Sequence, residues 1–259
     1  MADGKSRYHG ANSRLIWRWM RGTGAFLPLL WCFALPGTTA AQDPYAQRRE
    51  KMVEEQIVSR GVRDERVLEA MRTTPRHLFV PQSVIARAYT DGALPIGEGQ
   101  TISQPYIVAL MTELLQTKPG DTVLEVGTGS GYQAAVLSRL VKHVYSIEIL
   151  PSLAASAKRR LAQLGLTNAT VRTGDGYLGW PEFAPFDGII VTAAPPEIPP
   201  ALLAQLKRGG RMVVPVGDSP QSQNLMVLEK SKVSDAVTKR TVIPVRFVPM
   251  VRGQDPSMN

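Results

Sequence analysis

The chain has 259 residues, 44% apolar and 20% charged, a balance typical of a globular protein that excludes collagen, coiled coil and wholly disordered chains. A single cysteine, Cys32, excludes a disulfide framework, and the three histidines (His9, His77, His143) are too far apart for a local metal motif, so no metal is expected. The net charge is +8, but residues 1–24 hold five basic residues and one acidic residue, which leaves the remainder only mildly basic. Without a basic face interleaved with aromatic residues, we expect no nucleic-acid partner.

The first 41 residues have the composition of a separate segment. A basic stretch precedes the apolar run AFLPLLWCFAL at 25–35, which is too short to span a bilayer as a helix. Small residues follow at 38–41, as at a signal-peptidase site. Residues 1–41 are therefore expected to be a signal-like or disordered extension, and no run elsewhere predicts a membrane span.

The next part of the chain has helical patterning followed by turns. The spacing predicts a helix over residues 45–60, a second helix capped by Asp64, and Pro- and Gly-rich turns over 75–100 with one short helix near 83–88. We assign residues 42–259 to a single domain. Its N-terminal helical part is 42–100, and 101–259 holds the sheet and the C-terminal edge strands.

From residue 121 onward, predicted strands alternate with predicted helices. The strands are Thr122–Val126, His143–Glu148, Ala169–Arg172, Gly188–Thr192, Arg211–Val216, Leu225–Glu229 and Thr238–Phe247; the helices are Gly131–Leu140, Leu153–Leu164 and Pro200–Leu206, with a glycine stop at Gly209-Gly210. Alternation of this kind favours right-handed crossovers and a mostly parallel sheet. The last two strands have only a short link and should form an antiparallel edge hairpin. The predicted fold is α/β: a doubly wound, seven-stranded, Rossmann-like sheet with N-terminal helices.

The strongest local motif is a glycine-rich turn between the first strand and its helix. Gly127, Gly129 and Gly131 let the backbone approach a ligand closely, and the helix that follows directs its free N–H groups toward that ligand. Tyr132 stands where the dinucleotide fingerprint needs glycine, and no P-loop lysine is present. The pattern E-x-G-x-G-x-G, beginning at Glu125, is instead typical of S-adenosylmethionine enzymes, and a carboxylate there suits a cationic cofactor.

Two further acidic positions follow strands of the same sheet. Glu148 closes the second strand, where an acid can accept hydrogen bonds from both ribose hydroxyls; the alternative is a surface glutamate at a strand end. Asp175 and Gly176 follow the third strand and should lie near the adenine, unless they form a simple turn. The cofactor predicted from these motifs is S-adenosyl-L-methionine.

The order of these motifs resembles the protein-L-isoaspartate (D-aspartate) O-methyltransferase family over about residues 45–252. The matching segments are VLEVGTGSGYQAAVLSRL (123–140), VYSIE, GDG, PFDGIIVTAAP and LLAQLKRGGRMVVPVG, together with TISQPY (101–106), RHLFVP (76–81) and RFVPM (246–250). The family more usually has Leu where Met250 stands, and its usual bacterial form lacks the first 44 residues.

The resemblance implies the roles of several residues. Ser103 would lie at the active site between cofactor and substrate carboxylate, with Ile102, Gln104 and Pro105 also at the cofactor, and the substrate would contact Val248 and Pro249. Taken by itself, Ser103 could equally be the N-cap of a helix over Ile107–Leu115.

The implied activity is methyl transfer from S-adenosylmethionine to the free carboxylate of L-isoaspartyl and D-aspartyl residues in damaged proteins and peptides, whose esters collapse to a succinimide and open partly to aspartate. Two alternatives are a methyltransferase of the same fold that acts on a small molecule, and a non-catalytic cofactor- or peptide-binding protein. A monomer is expected. The family and its cytosolic cofactor favour the cytoplasm, whereas residues 1–41 favour the periplasm or export.

Overall fold

The structure is a computed structural model that describes residues 43–253. The predicted signal-like or disordered extension, residues 1–41, lies outside the described residues. Within the described range, no helix is long and apolar enough to cross a membrane.

The helices predicted before residue 75 are present. The first is α1 (Ala46–Met52), which continues as a π-helical turn (Val53–Ile57) and a 3-10 turn (Val58–Arg60). Gly61 then ends it with φ +95°. Helix α2 (Glu65–Thr73) begins at Asp64, whose carboxylate accepts a hydrogen bond of 2.9 Å from the Arg66 backbone N–H. These helices pack beside α3 (Pro105–Leu115) in one hydrophobic cluster.

The segment predicted as turns with one short helix contains more regular structure than that. It holds two 3-10 helices, Arg76–Phe79 and Gln82–Arg87, and an antiparallel pair of short strands, β1 (Leu94–Gly97) and β2 (Gln100–Ile102). Strands of three and four residues are too short to show an alternating pattern, and Pro95 and Gly97 are residues that argue against a strand.

The seven predicted strands of the main sheet and the three helices predicted between them are all present. Their bounds are β3 (Thr122–Val126), α4 (Tyr132–Ser138), β4 (His143–Glu148), α5 (Pro151–Gln163), β5 (Ala169–Thr173), β6 (Phe186–Val191), α6 (Pro200–Gln205), β7 (Leu206–Val216), β8 (Asn224–Lys230) and β9 (Val237–Pro244). Two 3-10 turns, Gly176–Leu178 and Pro181–Phe183, lie between β5 and β6.

Two predicted boundaries in this region are wrong. The Gly209-Gly210 pair is not a helix stop, because α6 already ends at Gln205 and β7 runs through the glycines. A Cβ on Gly210 would lie 2.8 Å from the carbonyl oxygen of Asp187, so the pair allows close strand approach instead. Strand β9 ends at Pro244 rather than at residue 247, since the chain leaves the sheet there.

The strand order confirms the predicted doubly wound topology. Neighbours run β5-β4-β3-β6-β7-β8-β9; pairings as far as β7 are parallel, and those of β7 with β8 and of β8 with β9 are antiparallel. Successive residues of a strand face opposite layers: Val123 packs in the cluster with α1 to α4, and Leu124 packs in the cluster with α6. With both faces covered, the ligand-accessible edge is the one formed by the carboxyl ends of β3, β4 and β6.

Candidate active site

Two adjoining cavities open at the carboxyl edge of the sheet. The first, of about 260 Å³, lies over β3, β4 and β6, and the second, of about 530 Å³, lies between the β2–α3 segment and the chain after β9. Glu98 and Glu148 are the charged residues in the wall of the first cavity, and no lysine, arginine or histidine lines it within the described residues. This wall therefore suits a neutral or cationic ligand better than a phosphate.

The glycine loop after β3 forms one wall of the first cavity. Gly127 has φ +99°, and a Cβ on it would lie 2.5 Å from Thr192 Oγ1. That hydroxyl already donates to the Gly127 carbonyl oxygen at 2.5 Å and contacts the Val126 carbonyl oxygen at 3.0 Å. Gly127 and Gly129 line the cavity, whereas Gly131 lies behind it, where the Cβ of Ala157 comes close.

Glu148 stands at the end of β4 with both carboxylate oxygens beside the loop. Oε2 accepts a hydrogen bond of 2.7 Å from the Gly129 backbone N–H, and Oε1 accepts one of 3.1 Å from that of Leu150. The residue is 5% exposed and lines the first cavity. Each oxygen retains a lone pair, so the carboxylate can accept from two ligand hydroxyls.

Glu125 lies behind the glycine loop rather than in the cavity wall. It is fully buried; its Oε2 accepts a 2.5 Å hydrogen bond from Ser146 Oγ, which also contacts Thr128 Oγ1 at 2.5 Å. Burial, with a smaller contribution from the nearby Glu148 charge, raises the pKa of Glu125 to about 8 despite the lowering effect of the Ser146 hydrogen bond. The structure therefore does not bring the Glu125 carboxyl to the wall of the first cavity but places it where it supports the loop from behind, and its role at the cofactor stays a prediction.

Of the two residues expected near the adenine, Gly176 and Asp175, only the first lines the first cavity. Gly176 lines the first cavity, and a Cβ there would lie 2.4 Å from Val126 Cγ1. Asp175 does not line it: its carboxylate caps the following 3-10 turn by accepting from Tyr177 N–H at 2.8 Å, and it accepts from Gly253 N–H at 3.0 Å. The turn interpretation of Asp175 is thus the one that its contacts favour.

The segment between β2 and α3 brings Ser103 to the cavities. The N-cap of α3 is Gln104, with Pro105 at the first helical position, so Ser103 is not the cap. Ile102 and Ser103 line the first cavity, and Ser103 and Gln104 line the second. Pro105 is buried and lines neither cavity. No hydrogen bond of the Ser103 hydroxyl occurs within residues 43–253.

The second cavity has the chain after β9 as its far wall. The Gln223 side chain holds this segment: its Oε1 accepts from Phe247 N–H at 2.6 Å and its Nε2 donates to the Phe247 carbonyl oxygen at 3.2 Å. Beyond it, Val248 O accepts from Ala194 N–H, and Met250 N–H donates to Ala194 O, both at 2.8 Å. Val248 lines both cavities, and Pro249 lines the first.

Four residues line both cavities: Thr101, Ser103, Thr192 and Val248. This junction is where a group held in one cavity would meet a group held in the other. The sequence motifs include Thr192 but give it no role. Its position just beyond the carboxyl end of a buried parallel strand was the available signal, since ligands bind at such ends.

The fold and the first cavity define a class, the S-adenosylmethionine-dependent methyltransferases. The residues present fit this cofactor: the cavity is lined at Gly127 and Gly176 by backbone that has no room for a side chain, and Glu148 supplies a charged acceptor for ribose hydroxyls. No phosphate-binding cation lines the described wall, so a cofactor without phosphate groups fits it.

Comparisons with known proteins narrow the class to a family. Residues 47–255 match the family model of protein-L-isoaspartate(D-aspartate) O-methyltransferase. The chain is 56% identical over 222 residues to a protein-L-isoaspartate O-methyltransferase of Synechococcus sp. (strain JA-2-3B'a(2-13)), covering 83% of this chain and 90% of that one. It is 52% identical over 244 residues to protein-L-isoaspartate O-methyltransferase 2 of Syntrophobacter fumaroxidans, covering 90% and 98%.

Solved structures agree with the sequence match. A protein-L-isoaspartate O-methyltransferase superposes with a TM-score of 0.70 at 33% identity, covering 78% of this chain and 65% of that one. A Plasmodium falciparum structure in complex with S-adenosyl-L-homocysteine, 23% identical, has the same fold, with a TM-score of 0.67 and coverage of 78% and 98%. This chain belongs to the protein-L-isoaspartate(D-aspartate) O-methyltransferase family.

Proposed function

We propose that the chain transfers a methyl group from S-adenosylmethionine to the free carboxylate of L-isoaspartyl and D-aspartyl residues in damaged proteins and peptides, and so initiates their repair. The observation that carries this assignment is the junction at Ser103, where a nucleoside-type cavity meets a second cleft. A cofactor cavity alone would serve any methyltransferase. The second cleft gives an extended peptide a place to present its carboxylate.

On the cofactor side, the chain binds and orients. Glu148 would accept the ribose hydroxyls, the glycine loop would enclose the nucleoside, and Gly176 would leave room for the base. When bound, the cofactor supplies a methyl group activated by its positively charged sulfur. Ile102 and Ser103 line the cavity where it meets the cleft, so they would hold the cofactor on the side that faces the substrate.

On the substrate side, the walls of the cleft combine apolar and neutral polar residues with one cation. Arg246 is the only charged residue among the described residues that line it. Val248, which lines the cleft, and Pro249, which lies beside it in the wall of the first cavity, are held by the Ala194 backbone and so provide a fixed edge for a peptide. We assign substrate contact to this edge, where an isoaspartyl kink would bring the carboxylate to Ser103.

The chemistry at the junction calls for positioning rather than acid–base catalysis. A carboxylate with an ordinary pKa near 4 is already ionised at neutral pH, so no group has to remove a proton from it. None of the four junction residues titrates in this range. The Ser103 hydroxyl can donate one hydrogen bond to the carboxylate and orient the attacking oxygen. Holding both reactants in the reactive geometry can contribute about 7–11 kcal/mol in all, and the Ser103 bond is one part of that.

Radiolabelled methyl transfer to an isoaspartyl peptide and to its aspartyl twin tests the proposal. We expect labelling of the first peptide and none of the second. Labelling of small acceptors only would favour a small-molecule methyltransferase of this fold. Binding of S-adenosylhomocysteine without methylation of any isoaspartyl peptide would favour a non-catalytic binding protein.

We also propose that the chain is a single catalytic domain that acts as a monomer in the cytoplasm, where its cofactor is made. Light scattering coupled to size exclusion measures the mass. Fractionation of cells that express the full chain, with N-terminal sequencing, measures compartment and processing. A processed form in the periplasm would overturn the cytoplasmic assignment and support the signal-like interpretation of residues 1–41.

A further inference from the structure

A fully buried arginine stands next to the junction without a carboxylate partner. Arg76 is 0% exposed, and no acidic group within residues 43–253 forms a salt bridge with it. Burial lowers the pKa of Arg76 to about 10, which still leaves the guanidinium charged at neutral pH. Burying an unpaired charge costs free energy, so the other contacts of Arg76 must compensate for that cost.

Those contacts join three separate segments. Nε donates to the carbonyl oxygen of Ala88 at 2.8 Å, and Nη2 donates to the carbonyl oxygen of Ser103 at 2.7 Å. The guanidinium carbon lies 4.9 Å from the centre of the Tyr132 ring, a cation–π distance. Tyr132 begins the helix after the glycine loop and lines the first cavity. Nη1 has no partner among the described residues.

The bond to Ser103 matters because of where Ser103 lies. It is outside both β2 and α3, so its carbonyl belongs to neither the strand ladder nor the helix. As proposed above, the Ser103 hydroxyl must be placed within a few tenths of an ångström of the position that suits the carboxylate. The Arg76 guanidinium donates to the Ser103 carbonyl oxygen and also packs on Tyr132 in the wall of the cofactor cavity. Arg76 therefore sets the distance between Ser103 and that cavity.

We propose that Arg76 is a positioning residue that fixes Ser103 relative to the cofactor cavity, and that it acts on catalysis through Ser103. This inference rests on the proposed function. It differs from a purely structural role, because a residue that only stabilises the fold would change the melting temperature without coupling to the Ser103 hydroxyl.

The test is a double-mutant cycle with R76M, R76K and S103A. We expect R76M to lower kcat for an isoaspartyl peptide by about 10- to 100-fold, the effect of losing an orienting hydrogen bond, with the Kd for S-adenosylhomocysteine within about threefold of wild type. R76K keeps the charge and one donor, so it should recover part of the rate. The double variant R76M/S103A should be no more than about threefold slower than the slower single variant.

Arg160 offers a matched control. Its guanidinium also lies over an aromatic ring, Phe79 at 5.7 Å, and donates to a loop carbonyl, Ser130 O at 2.6 Å, but none of its hydrogen bonds within residues 43–253 reaches Ser103. The effects of R160M and S103A should therefore multiply.

Wild-type kcat for both R76K and R76M would overturn the inference, as would multiplication of the R76M and S103A effects. If R76M does not fold, the cycle is run with R76K and the same outcomes apply. A wild-type chain that does not methylate the peptide contradicts the proposed function instead, so the two failures are distinguishable.

Discussion

The two cavities that meet at Ser103 are assembled in different ways. The cofactor cavity draws many of its lining residues from one stretch of chain, 126–150, which contains β4 and the loops at the ends of β3 and β4. The substrate cleft combines residues 93–107, 220–223 and 244–248 with Thr192. One side of the first cavity is therefore specified by a local motif, although residues 98–108, 176, 192–193 and 248–251 complete it, whereas the second depends wholly on the packing of segments that are far apart in sequence.

Because of this difference, the two cavities should tolerate different substitutions. In the cofactor cavity a single added methyl group, on Gly127 or Gly176, meets a fixed neighbour at 2.5 or 2.4 Å. In the cleft, the far wall depends on one side-chain amide, Gln223, that replaces backbone pairing for Phe247. We expect cofactor affinity and methylation rate to respond to different substitutions, and the following predictions test that separation.

The largest effect is expected at Glu148. E148A removes a charged acceptor for two ribose hydroxyls, each bond worth about 1.5–3 kcal/mol, so the Kd for S-adenosylhomocysteine should rise about 100-fold or more. Calorimetry measures this change. E148Q keeps the shape without the charge and should lie between wild type and E148A. An unchanged dissociation constant would remove the ribose role from Glu148.

Ser103→Ala should act on the rate rather than on the cofactor. Losing one orienting hydrogen bond to a charged group costs about 1.5–3 kcal/mol, or roughly 10–150-fold in kcat, with little change in cofactor Kd. Ser138→Ala is the control, because the hydroxyl of that buried serine donates to the Ala135 carbonyl oxygen within α4. S138A should keep the wild-type rate. A wild-type rate for folded S103A would show that the hydroxyl has no part in catalysis.

Glu125 should affect stability more than cofactor binding. Its pKa is raised from 4.5 to about 8, so between these values the folded chain keeps a proton that the unfolded chain loses, and stability falls as the pH rises. The slope for one such group is at most about 1.4 kcal/mol per pH unit, and E125Q should lack it. Urea unfolding of both proteins from pH 5 to pH 8 measures the difference. Parallel stability curves would contradict the raised pKa.

E125Q also tests whether Glu125 and Glu148 differ in their effect on cofactor affinity. Because Glu125 lies behind the loop, E125Q should bind S-adenosylhomocysteine within about tenfold of wild type, far closer than E148A. A loss as large as that of E148A would show that the buried carboxyl, and not the cavity wall, governs cofactor affinity.

The smallest effect is expected from removing residues 1–41. The segment contains no motif residue of either cavity, and the family model begins at residue 47. Deletion should leave kcat and KM within about a factor of two, an effect near 0.4 kcal/mol. Steady-state kinetics of the full and shortened chains provide the comparison. A tenfold loss would mean that the segment packs on the catalytic domain.

The sequence alone determined the sheet, the glycine loop and the position of Glu148. These features follow from local rules: buried strands read as apolar runs, glycine is required where the backbone has φ +99°, and an acid at a strand's carboxyl end lies where ligands bind. The motif order also indicated the family. In each case the signal lies within a few residues of the feature it predicts.

Only the tertiary structure decided which acids line the first cavity and what surrounds Ser103. Glu125 and Asp175 follow the same patterns as Glu148, yet one is buried behind the loop and the other caps a turn. The bond from Arg76 to Ser103 spans 27 positions, and the bond from the Ala194 N–H to the Val248 carbonyl oxygen spans 54 positions of chain. Such contacts depend on how elements pack in three dimensions, and no local pattern records that packing.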